Sequence, residues 1–214
     1  MSKRSKVFLI VASVAAIAFL AMAVFVFTSF RVVKLPTGSM ANTIVPGESV
    51  LCFLSGSEVK RGEIILFKLP TDPKVTYLKR VIGLPGDRIQ IRGVKVFING
   101  AELPEERTFI ELTPSQPIQP ELSSEGAGSY RVYYEKRPTG AEESWSEHPG
   151  MKFGVAEEFQ IPAEKYFVLG DCRDNSLDSR YWGTVPRENI LGRALMIIVS
   201  NDPQRQSKLF QTLK

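Results

Sequence analysis

The longest apolar run of the chain lies near its N-terminus. Residues 7–27 carry no charge, and Ser13 is the only polar side chain among them. As a helix rising about 1.5 Å per residue, this run would span roughly 30 Å, the hydrocarbon thickness of a bilayer. A cleaved signal peptide is the alternative, with Ala21-Met22-Ala23 as a passable cleavage site. Because the apolar core of such peptides is usually only about 7–15 residues long, the pattern favours an uncleaved transmembrane anchor.

Beyond the anchor, apolar residues occur in short runs bounded by turn residues, which is typical of β-strands. Pro85-Gly86 suits a type II turn, and Asn99-Gly100 suits a tight hairpin turn. No run has the pattern of a convincing soluble amphipathic helix. The chain is therefore predicted to be mostly β, with one N-terminal transmembrane helix followed by a β domain. Strands are predicted at residues 49–54, 62–69, 74–82, 88–91, 94–98, 159–162, 165–169 and 191–199.

A change of composition divides the predicted β domain. Between residues 101 and 158, proline, serine and glutamate are frequent, and we expect loops with a few exposed strands, such as residues 130–134, and no chemistry. The predicted organisation has five parts: the N-terminus and anchor at 1–30, the first core part at 31–100, an insertion at 101–158, the second core part at 159–200 and a polar tail at 201–214.

The positive charge of the chain is concentrated at its N-terminal end. The net charge is +4, but no Asp or Glu precedes Glu48, and five of the 27 basic residues do. The 22 that remain face 23 acidic residues, so the body offers no overall basic character that would indicate nucleic-acid binding. Three of the early basic residues precede the apolar run and two follow it, which weakly favours a cytoplasmic N-terminus and residues 31–214 on the other side of the membrane.

The chain has few of the cysteine and histidine residues that a metal site or a Ser-His-Asp triad would need. The chain has two cysteines, Cys52 and Cys172, and one histidine, His148, without zinc-ligand spacing. We expect no metal and no cofactor, and the sequence leaves open whether the cysteines form a disulfide. His148 lies in a polar, turn-rich stretch typical of a solvated loop, so a Ser-His-Asp triad is not favoured.

Ser39 lies in a turn-rich segment a few residues after the apolar run. Pro36 and Gly38 precede it, and Pro46-Gly47 follows it. A serine on such a turn can present its hydroxyl and its own N–H together, as acyl transfer requires. By itself the segment favours an ordinary loop serine over a catalytic one.

A candidate base lies in the strand predicted at residues 74–82. Lys79 and Arg80 are adjacent there, and both faces of the strand are largely apolar. Because neighbouring residues of a strand point to opposite faces, we expect one of the two cations to be directed inward, the alternative being a solvated edge-strand lysine. Burial would lower the pKa of Lys79 from roughly 10.4 and allow the amine to accept a proton from serine, whereas arginine stays protonated.

Residues 170–183 place five charges in a turn-rich loop directly after an apolar strand. The sequence of this loop is Gly-Asp-Cys-Arg-Asp-Asn-Ser-Leu-Asp-Ser-Arg-Tyr-Trp-Gly. It reads either as a surface turn or as a rigid shell of paired charges and small polar side chains around a site.

Four segments of the chain resemble, in the same order, the motifs of bacterial type I signal peptidases, which are membrane-bound Ser/Lys proteases. They are residues 36–40 for the nucleophile, 61–67 for a strand, 78–87 for the lysine, and the 170–183 loop. The resemblance extends from the anchor to about residue 200, and residues 101–158 fall where that family is variable. It implies an antiparallel β catalytic domain of the type shared with SOS-repressor regulators.

By this resemblance Ser39 would be the nucleophile and Lys79 the general base. The Ser176 hydroxyl would orient Lys79, and the Ser39 N–H with the Thr37 hydroxyl would form the oxyanion hole. Four charged residues would support the site: Arg80, Asp171, Asp178 and Arg180.

Two residues depart from the family pattern. Thr37 stands where many members have serine, which keeps the hydroxyl but adds a methyl group that restricts its rotamers. Cys172 stands where asparagine is usual, which removes an amide and no catalytic group.

The implied function is removal of signal peptides from exported preproteins after small residues at −1 and −3. The implied location is the bacterial plasma membrane, crossed once, with the catalytic domain outside the cytoplasm. The expected partners are preprotein signal peptides and membrane lipid, with Leu51, Phe53 and Leu54 resting on the membrane, and no nucleic acid.

Two other functions are considered. A self-cleaving Ser/Lys regulator would need a DNA-binding N-terminal domain and an Ala-Gly or Cys-Gly site before the serine, yet the Ala-Gly of this chain is at 127–128. A non-enzymatic, membrane-tethered β module is opposed only by the presence of Ser39, Lys79 and Ser176.

Overall fold

The computed structural model describes residues 3–54, 58–110, 130–135, 150–155 and 157–213. The predicted N-terminal helix is present as α1 (Lys3–Ser29), and it is long and apolar enough to cross a membrane. None of the side chains in its most apolar window is buried against the rest of the protein. The described residues of the body therefore leave the apolar surface of this helix uncovered.

The described part of the body is built from β-strands and short turns, with one further short helix, α2 (Ser179–Trp182). This confirms the prediction of a mostly β fold. The strands are β1 (Phe30–Lys34), β2 (Ser49–Phe53), β3 (Ile64–Leu69), β4 (Asp72–Gly83), β5 (Arg88–Arg92), β6 (Lys95–Ile98), β7 (Ala101–Glu102), β8 (Glu106–Ile110), β9 (Arg131–Glu135), β10 (Phe159–Gln160), β11 (Lys165–Leu169), β12 (Val185–Pro186) and β13 (Ile190–Val199).

A seven-stranded antiparallel sheet organises the body. Its strand order is β1-β2-β13-β3-β4-β11-β12. The last long strand, β13, pairs with both β2 and β3, and β11 pairs with β4. The chain segments before and after the insertion therefore share one sheet, which brings the 170–183 loop next to the strand that carries Lys79.

Both faces of this sheet are covered by apolar side chains. Ile64, Leu66 and Leu78 belong to a core on one face, while Phe67 and Val81 belong to a core on the other. Because β4 is covered on both sides, Lys79 and Arg80 are both buried, with 3% and 1% of their surfaces exposed. The sequence predicted that only one of the two would be directed inward.

A second sheet has the order β10-β5-β6-β7. The predicted hairpin at 88–98 forms from β5 and β6, and Asn99 and Gly100 follow with φ of 53° and 83°, the positive values that a tight turn requires. The third sheet, β8 and β9, is parallel, which the sequence did not predict.

The expectation of an exposed strand at residues 130–134 is wrong. In β9, Val132, Tyr133 and Tyr134 are 0%, 5% and 3% exposed. The strand is buried because it packs against the 170–183 loop, where the Tyr133 N–H donates to the carbonyl oxygen of Asp171 at 2.8 Å. This part of the insertion is therefore a buried part of the β body that packs against the 170–183 loop.

The polar C-terminal segment also packs against the body. Residues Pro203–Lys208 form a 3₁₀ turn, and Leu209 and Leu213 pack against the core that contains Met40 and Ile44. The Arg205 side chain within the turn is buried. The segment's polar composition hides this packing, because its two inward-facing leucines are separated by polar and exposed residues.

Candidate active site

Ser39 lies in a 3₁₀ turn, Gly38–Met40, between β1 and β2. Met40 and Ile44 are fully buried in the core below the turn, which fixes its position. Ser39 is 9% exposed, whereas Thr37, just before the turn, has an extended backbone and is exposed. The turn therefore holds the serine at the edge of the core, within reach of a molecule from outside.

The Lys79 side chain reaches Ser39 from the neighbouring strand β4, and its Nζ donates a hydrogen bond to Ser39 Oγ. Burial lowers the pKa of Lys79 to about 8, although the carboxylate of Asp178 acts in the opposite direction. With a pKa of about 8, roughly a tenth of the molecules have a neutral amine at pH 7, and about half do at pH 8. A neutral amine in hydrogen-bond contact with a hydroxyl can accept its proton.

Thr37 lies beside this pair, with its Oγ1 3.4 Å from Ser39 Oγ. A hydroxyl donor at this position is close enough to contact an oxygen that develops charge when Ser39 attacks a carbonyl.

Ser176 is buried beside Ser39 but does not hydrogen-bond to Lys79. Its Oγ has no hydrogen-bond partner among the described residues. It lies directly over the Cα of Gly170, where a Cβ would collide with Ser176 Oγ and with the Ser39 carbonyl oxygen. The structure thus brings Ser176 to the site without the orienting bond that the resemblance implies, and position 170 has no room for a side chain.

Asp171 and Arg80 form a buried ion pair next to the site. Arg80 Nε and Nη2 donate to the two carboxylate oxygens at 2.8 and 2.6 Å, and Thr43 Oγ1 donates to the same carboxylate at 2.5 Å. The guanidinium also lies 4.3 Å from the centre of the Tyr130 ring. This pair joins strand β4, the loop after Ser39 and the 170–183 loop.

Asp178 and Arg180 form a second buried pair within the 170–183 loop, with Arg180 Nε 2.8 Å from Asp178 Oδ1. Burial alone would raise the pKa of Asp178, but the Arg180 guanidinium holds it below its usual value. Asp178 also accepts from the Gly170 N–H at 3.0 Å. The carboxylate therefore stays ionised and fixes the start of the loop.

The sequence missed one ion pair of the site. The Arg173 guanidinium forms a buried salt bridge with Glu105, which lies between β7 and β8 in the insertion, and donates to Tyr134 Oη at 3.2 Å. No pattern marks Glu105, which is one of two adjacent glutamates. The abundance of arginine in the 170–183 loop was the available signal, because each buried arginine needs an acceptor.

The 170–183 loop also contacts the nucleophile turn directly. The Cys172 N–H donates to the Ser39 carbonyl oxygen at 3.1 Å. Because this contact uses the backbone, the replacement of asparagine by cysteine at position 172 leaves it in place. The Cys172 thiol is free and buried, as is that of Cys52, and burial raises their pKa values to about 11 and about 12.

The described ranges contain no group of three or more His, Cys, Asp or Glu side chains that could hold a metal ion. His148 lies outside the described residues, as do residues 111–129, 136–149 and position 156 of the insertion. The groups at the described site that can take part in acyl transfer are the serine hydroxyl, the lysine amine and the Thr37 hydroxyl beside them.

A serine hydroxyl in contact with a buried lysine amine is characteristic of serine hydrolases that use a lysine base. A sequence model of the family described as "Signal peptidase, peptidase S26" matches residues 5–199. The chain belongs to this family of serine-type peptidases.

Relatives named "Signal peptidase I" are similar over most of the chain. The one from Pseudomonas fluorescens is 32% identical, and the aligned region covers 78% of this chain and 64% of that relative. The one from Pseudomonas aeruginosa is 30% identical, and the aligned region covers 82% of this chain and 67% of that relative. The chain thus spans about two thirds of the length of these relatives, slightly less in the first. A solved signal peptidase I from Enterococcus faecalis V583 is 25% identical, covering 65% of this chain and 98% of that one, with a TM-score of 0.37.

Proposed function

We propose that this protein is a membrane-anchored serine endopeptidase that removes signal peptides from exported preproteins. The observation that carries the proposal is the contact between the buried amine of Lys79 and the hydroxyl of Ser39. Family membership and the apolar helix ahead of the β body support it. The same contact argues against a tethered β module without activity, since burying a lysine beside a serine has an unfavourable free energy that a purely structural role would not require.

In the proposed mechanism, Ser39 Oγ attacks the scissile carbonyl carbon while Lys79 Nζ accepts the hydroxyl proton. The Ser39 N–H and the Thr37 hydroxyl donate to the oxyanion of the tetrahedral intermediate. As the intermediate collapses, Lys79 transfers its proton to the amine of the mature protein, which leaves. Water, deprotonated by the same amine, then hydrolyses the ester between Ser39 and the signal peptide and restores the hydroxyl.

Ser176 has a proposed orienting role in this cycle. Its hydroxyl is buried without a partner in the described structure, and an unpaired buried hydroxyl costs about 1–3 kcal/mol. We expect it to bond to Lys79 Nζ once Ser39 Oγ is engaged with substrate. The pairs Arg80–Asp171 and Asp178–Arg180 are the proposed supports that keep strand β4 and the 170–183 loop together.

The proposed substrate is an extended segment with small residues at −1 and −3. Strand-like pairing of a peptide backbone is a sensible way to read a segment with little side-chain identity, because the hydrogen bonds use the main chain. The proposed location is the bacterial plasma membrane, with the N-terminus in the cytoplasm and the β body on the other side. Three basic residues precede the apolar run and two follow it, which supports this orientation. The Ala-Gly dipeptide that self-cleavage would need lies outside the described residues.

The test is processing of a preprotein by the detergent-solubilised full chain. Ser39→Ala and Lys79→Ala should each lower kcat by at least about 1000-fold, because members of a catalytic unit fail together. Ser176→Ala should lower kcat with little change in KM. Ser49→Ala and Lys95→Ala, which lie outside the site, are the matched controls and should process at the wild-type rate. Equal processing by the wild type and both dyad variants would reject the proposal.

A further inference from the structure

The C-terminal segment is tied to the loop that follows the nucleophile. Arg205 Nε and Nη2 donate to the carboxylate of Glu48 at 2.7 and 3.2 Å. The same guanidinium donates to the carbonyl oxygens of Asn42 at 3.1 Å and Thr43 at 3.0 Å. Arg205 and Glu48 are each 1% exposed. One side chain near the end of the chain therefore holds both ends of the 42–48 loop.

The 42–48 loop has backbone hydrogen bonds of its own and a buried Ile44, but it also contains two features that are unfavourable by themselves. Asn42 has a φ of 73°, in the left-handed region, and neither atom of its buried side-chain amide has a hydrogen-bond partner within the described ranges. Both features are unfavourable unless surrounding contacts enforce them. The Arg205 guanidinium supplies such contacts at two consecutive carbonyl groups.

The loop in turn connects the two halves of the dyad. The loop begins three residues after Ser39. Its Thr43 hydroxyl donates to Asp171, whose carboxylate binds Arg80. Arg80 is the neighbour of Lys79 in β4. A shift of the 42–48 loop would therefore alter the distance from Ser39 Oγ to Lys79 Nζ.

The segment that carries Arg205 is itself fixed to the sheet. The Phe210 N–H donates to the Ile197 carbonyl oxygen at 2.9 Å, and the Leu213 N–H donates to the Leu195 carbonyl oxygen at 2.8 Å. Both acceptors belong to β13, which pairs with β2 and β3 in the middle of the sheet. The Arg205 guanidinium thus fixes the 42–48 loop relative to strand β13.

We propose that Arg205 is a positioning residue for Ser39. It sets Ser39 at hydrogen-bond distance from Lys79 by joining the carbonyl groups at the start of the 42–48 loop to the Glu48 carboxylate at its end. The proposal rests on the proposed peptidase activity for its kinetic test, but not for its structural test. It requires arginine in particular, because the planar guanidinium binds a carboxylate and two carbonyl groups at once, and a lysine ammonium cannot reproduce that geometry.

The experiment uses the full chain in detergent with four variants. Arg205→Gln removes the guanidinium and its contacts with the 42–48 loop. Arg205→Lys keeps the positive charge but loses the planar set of donors. The double variant, Arg205→Gln with Glu48→Gln, also removes the buried carboxylate that would otherwise be left unpaired. Arg88→Gln, which removes an arginine from an exposed ion pair with Glu158, is the matched control. Three measurements are made on each variant: the kinetics (kcat and KM) of preprotein processing, the amide hydrogen exchange across residues 40–48, and the thermal unfolding midpoint.

We expect about a tenfold fall in kcat with unchanged KM for both single Arg205 variants, since a displacement of well under 1 Å at the reacting atoms has an effect of this order. The double variant should recover thermal stability but not kcat, which separates positioning from folding. Exchange across 40–48 should accelerate in all three and stay at the wild-type rate in Arg88→Gln.

Wild-type kcat in Arg205→Lys, or wild-type exchange across 40–48 in Arg205→Gln, would overturn the proposal. Full recovery of kcat in the double variant would also overturn it, because the defect would then come from the unpaired Glu48 charge. If the wild type processes no preprotein, the proposed function fails, and the exchange measurement still decides whether Arg205 clamps the loop.

Discussion

Lys79 is under two opposite requirements. Catalysis needs a neutral amine, which burial provides by lowering the pKa to about 8. The same burial destabilises the folded protein below that pH, because the ammonium must be held in an apolar environment. With a reference value of 10.5, this penalty is about 3 kcal/mol. Burial of Lys79 therefore lowers the free energy of unfolding, and favourable packing elsewhere in the core must offset this.

This penalty predicts a pH dependence of stability. Below about pH 8, Lys79 is protonated in both the folded and unfolded states, and the penalty is fully present. Between about 8 and 10.5, the unfolded chain binds the proton and the folded one does not, so stability rises with pH. The wild type should therefore gain stability relative to Lys79→Met as pH rises from 7 to 10, measured as the free energy of unfolding in urea.

Lys79→Met is also expected to be more stable than the wild type at pH 7, since methionine fills a similar volume without the charge. Activity should rise with pH through about 8 as the amine becomes neutral. Stability curves of the two proteins that run parallel over this range would contradict the assigned burial effect.

At the scale of elements, the insertion is a partner of the 170–183 loop. Strand β9 pairs its backbone with Asp171, and Glu105 accepts the buried guanidinium of Arg173. The loop holds Ser176 and Asp178, so a segment outside the family motifs fixes residues inside them. This explains why β9 is buried although its surroundings in sequence are polar.

Glu105→Gln should therefore lower both stability and activity. It leaves the Arg173 charge buried with neutral acceptors, and breaking a buried pair in this way costs about 3 kcal/mol or more. Glu106→Gln is the matched control, because Glu106 pairs with Arg131 with 38% of its side chain exposed, and such pairs contribute under about 1 kcal/mol.

The measurement for this pair of variants is the urea unfolding midpoint together with the processing rate. Equal effects of the two substitutions would mean that Glu105 has no special role in supporting the loop.

At the scale of the whole molecule, the anchor helix and the β body are joined without a spacer. Helix α1 ends at Ser29 and β1 begins at Phe30, and the Leu54 N–H donates to the Ser29 carbonyl oxygen at 2.7 Å. The rings of Phe30 and Phe53 lie 5.3 Å apart at this junction. We therefore expect the start of β1 and the end of β2 to lie close to the membrane surface.

A body without residues 1–28 should still bind phospholipid vesicles, and Phe53→Ser with Leu54→Ser should reduce the bound fraction in flotation. Partly buried aromatic and aliphatic side chains at a bilayer surface contribute by the apolar area that they remove from water. Phe109→Ser, at an exposed aromatic residue of β8, is the control and should bind as the parent does. Unchanged binding by the double variant would remove these two residues from the membrane contact.

The sequence by itself determined the N-terminal helix, most of the longer strands and the candidate residues. Its periodicity marked the apolar helix, the short strands and the hairpin at 88–98, because side-chain alternation and turn residues are local properties of the chain. The motifs around Ser39, Lys79 and Ser176 named the residues of the site by resemblance. Neither the periodicity nor the motifs give distances between side chains. The absence of a hydrogen bond between Ser176 and Lys79 therefore could not be predicted.

The tertiary structure decided which distant residues meet. Glu48 and Arg205 are 157 positions apart, and Glu105 and Arg173 are 68 apart, yet each pair is buried in contact. It also buried both Lys79 and Arg80, because apolar layers cover both faces of the sheet at β4. Local hydrophobic patterns describe one element at a time. The partners of a buried charge are set by the order of strands in the sheet, which only the folded chain defines.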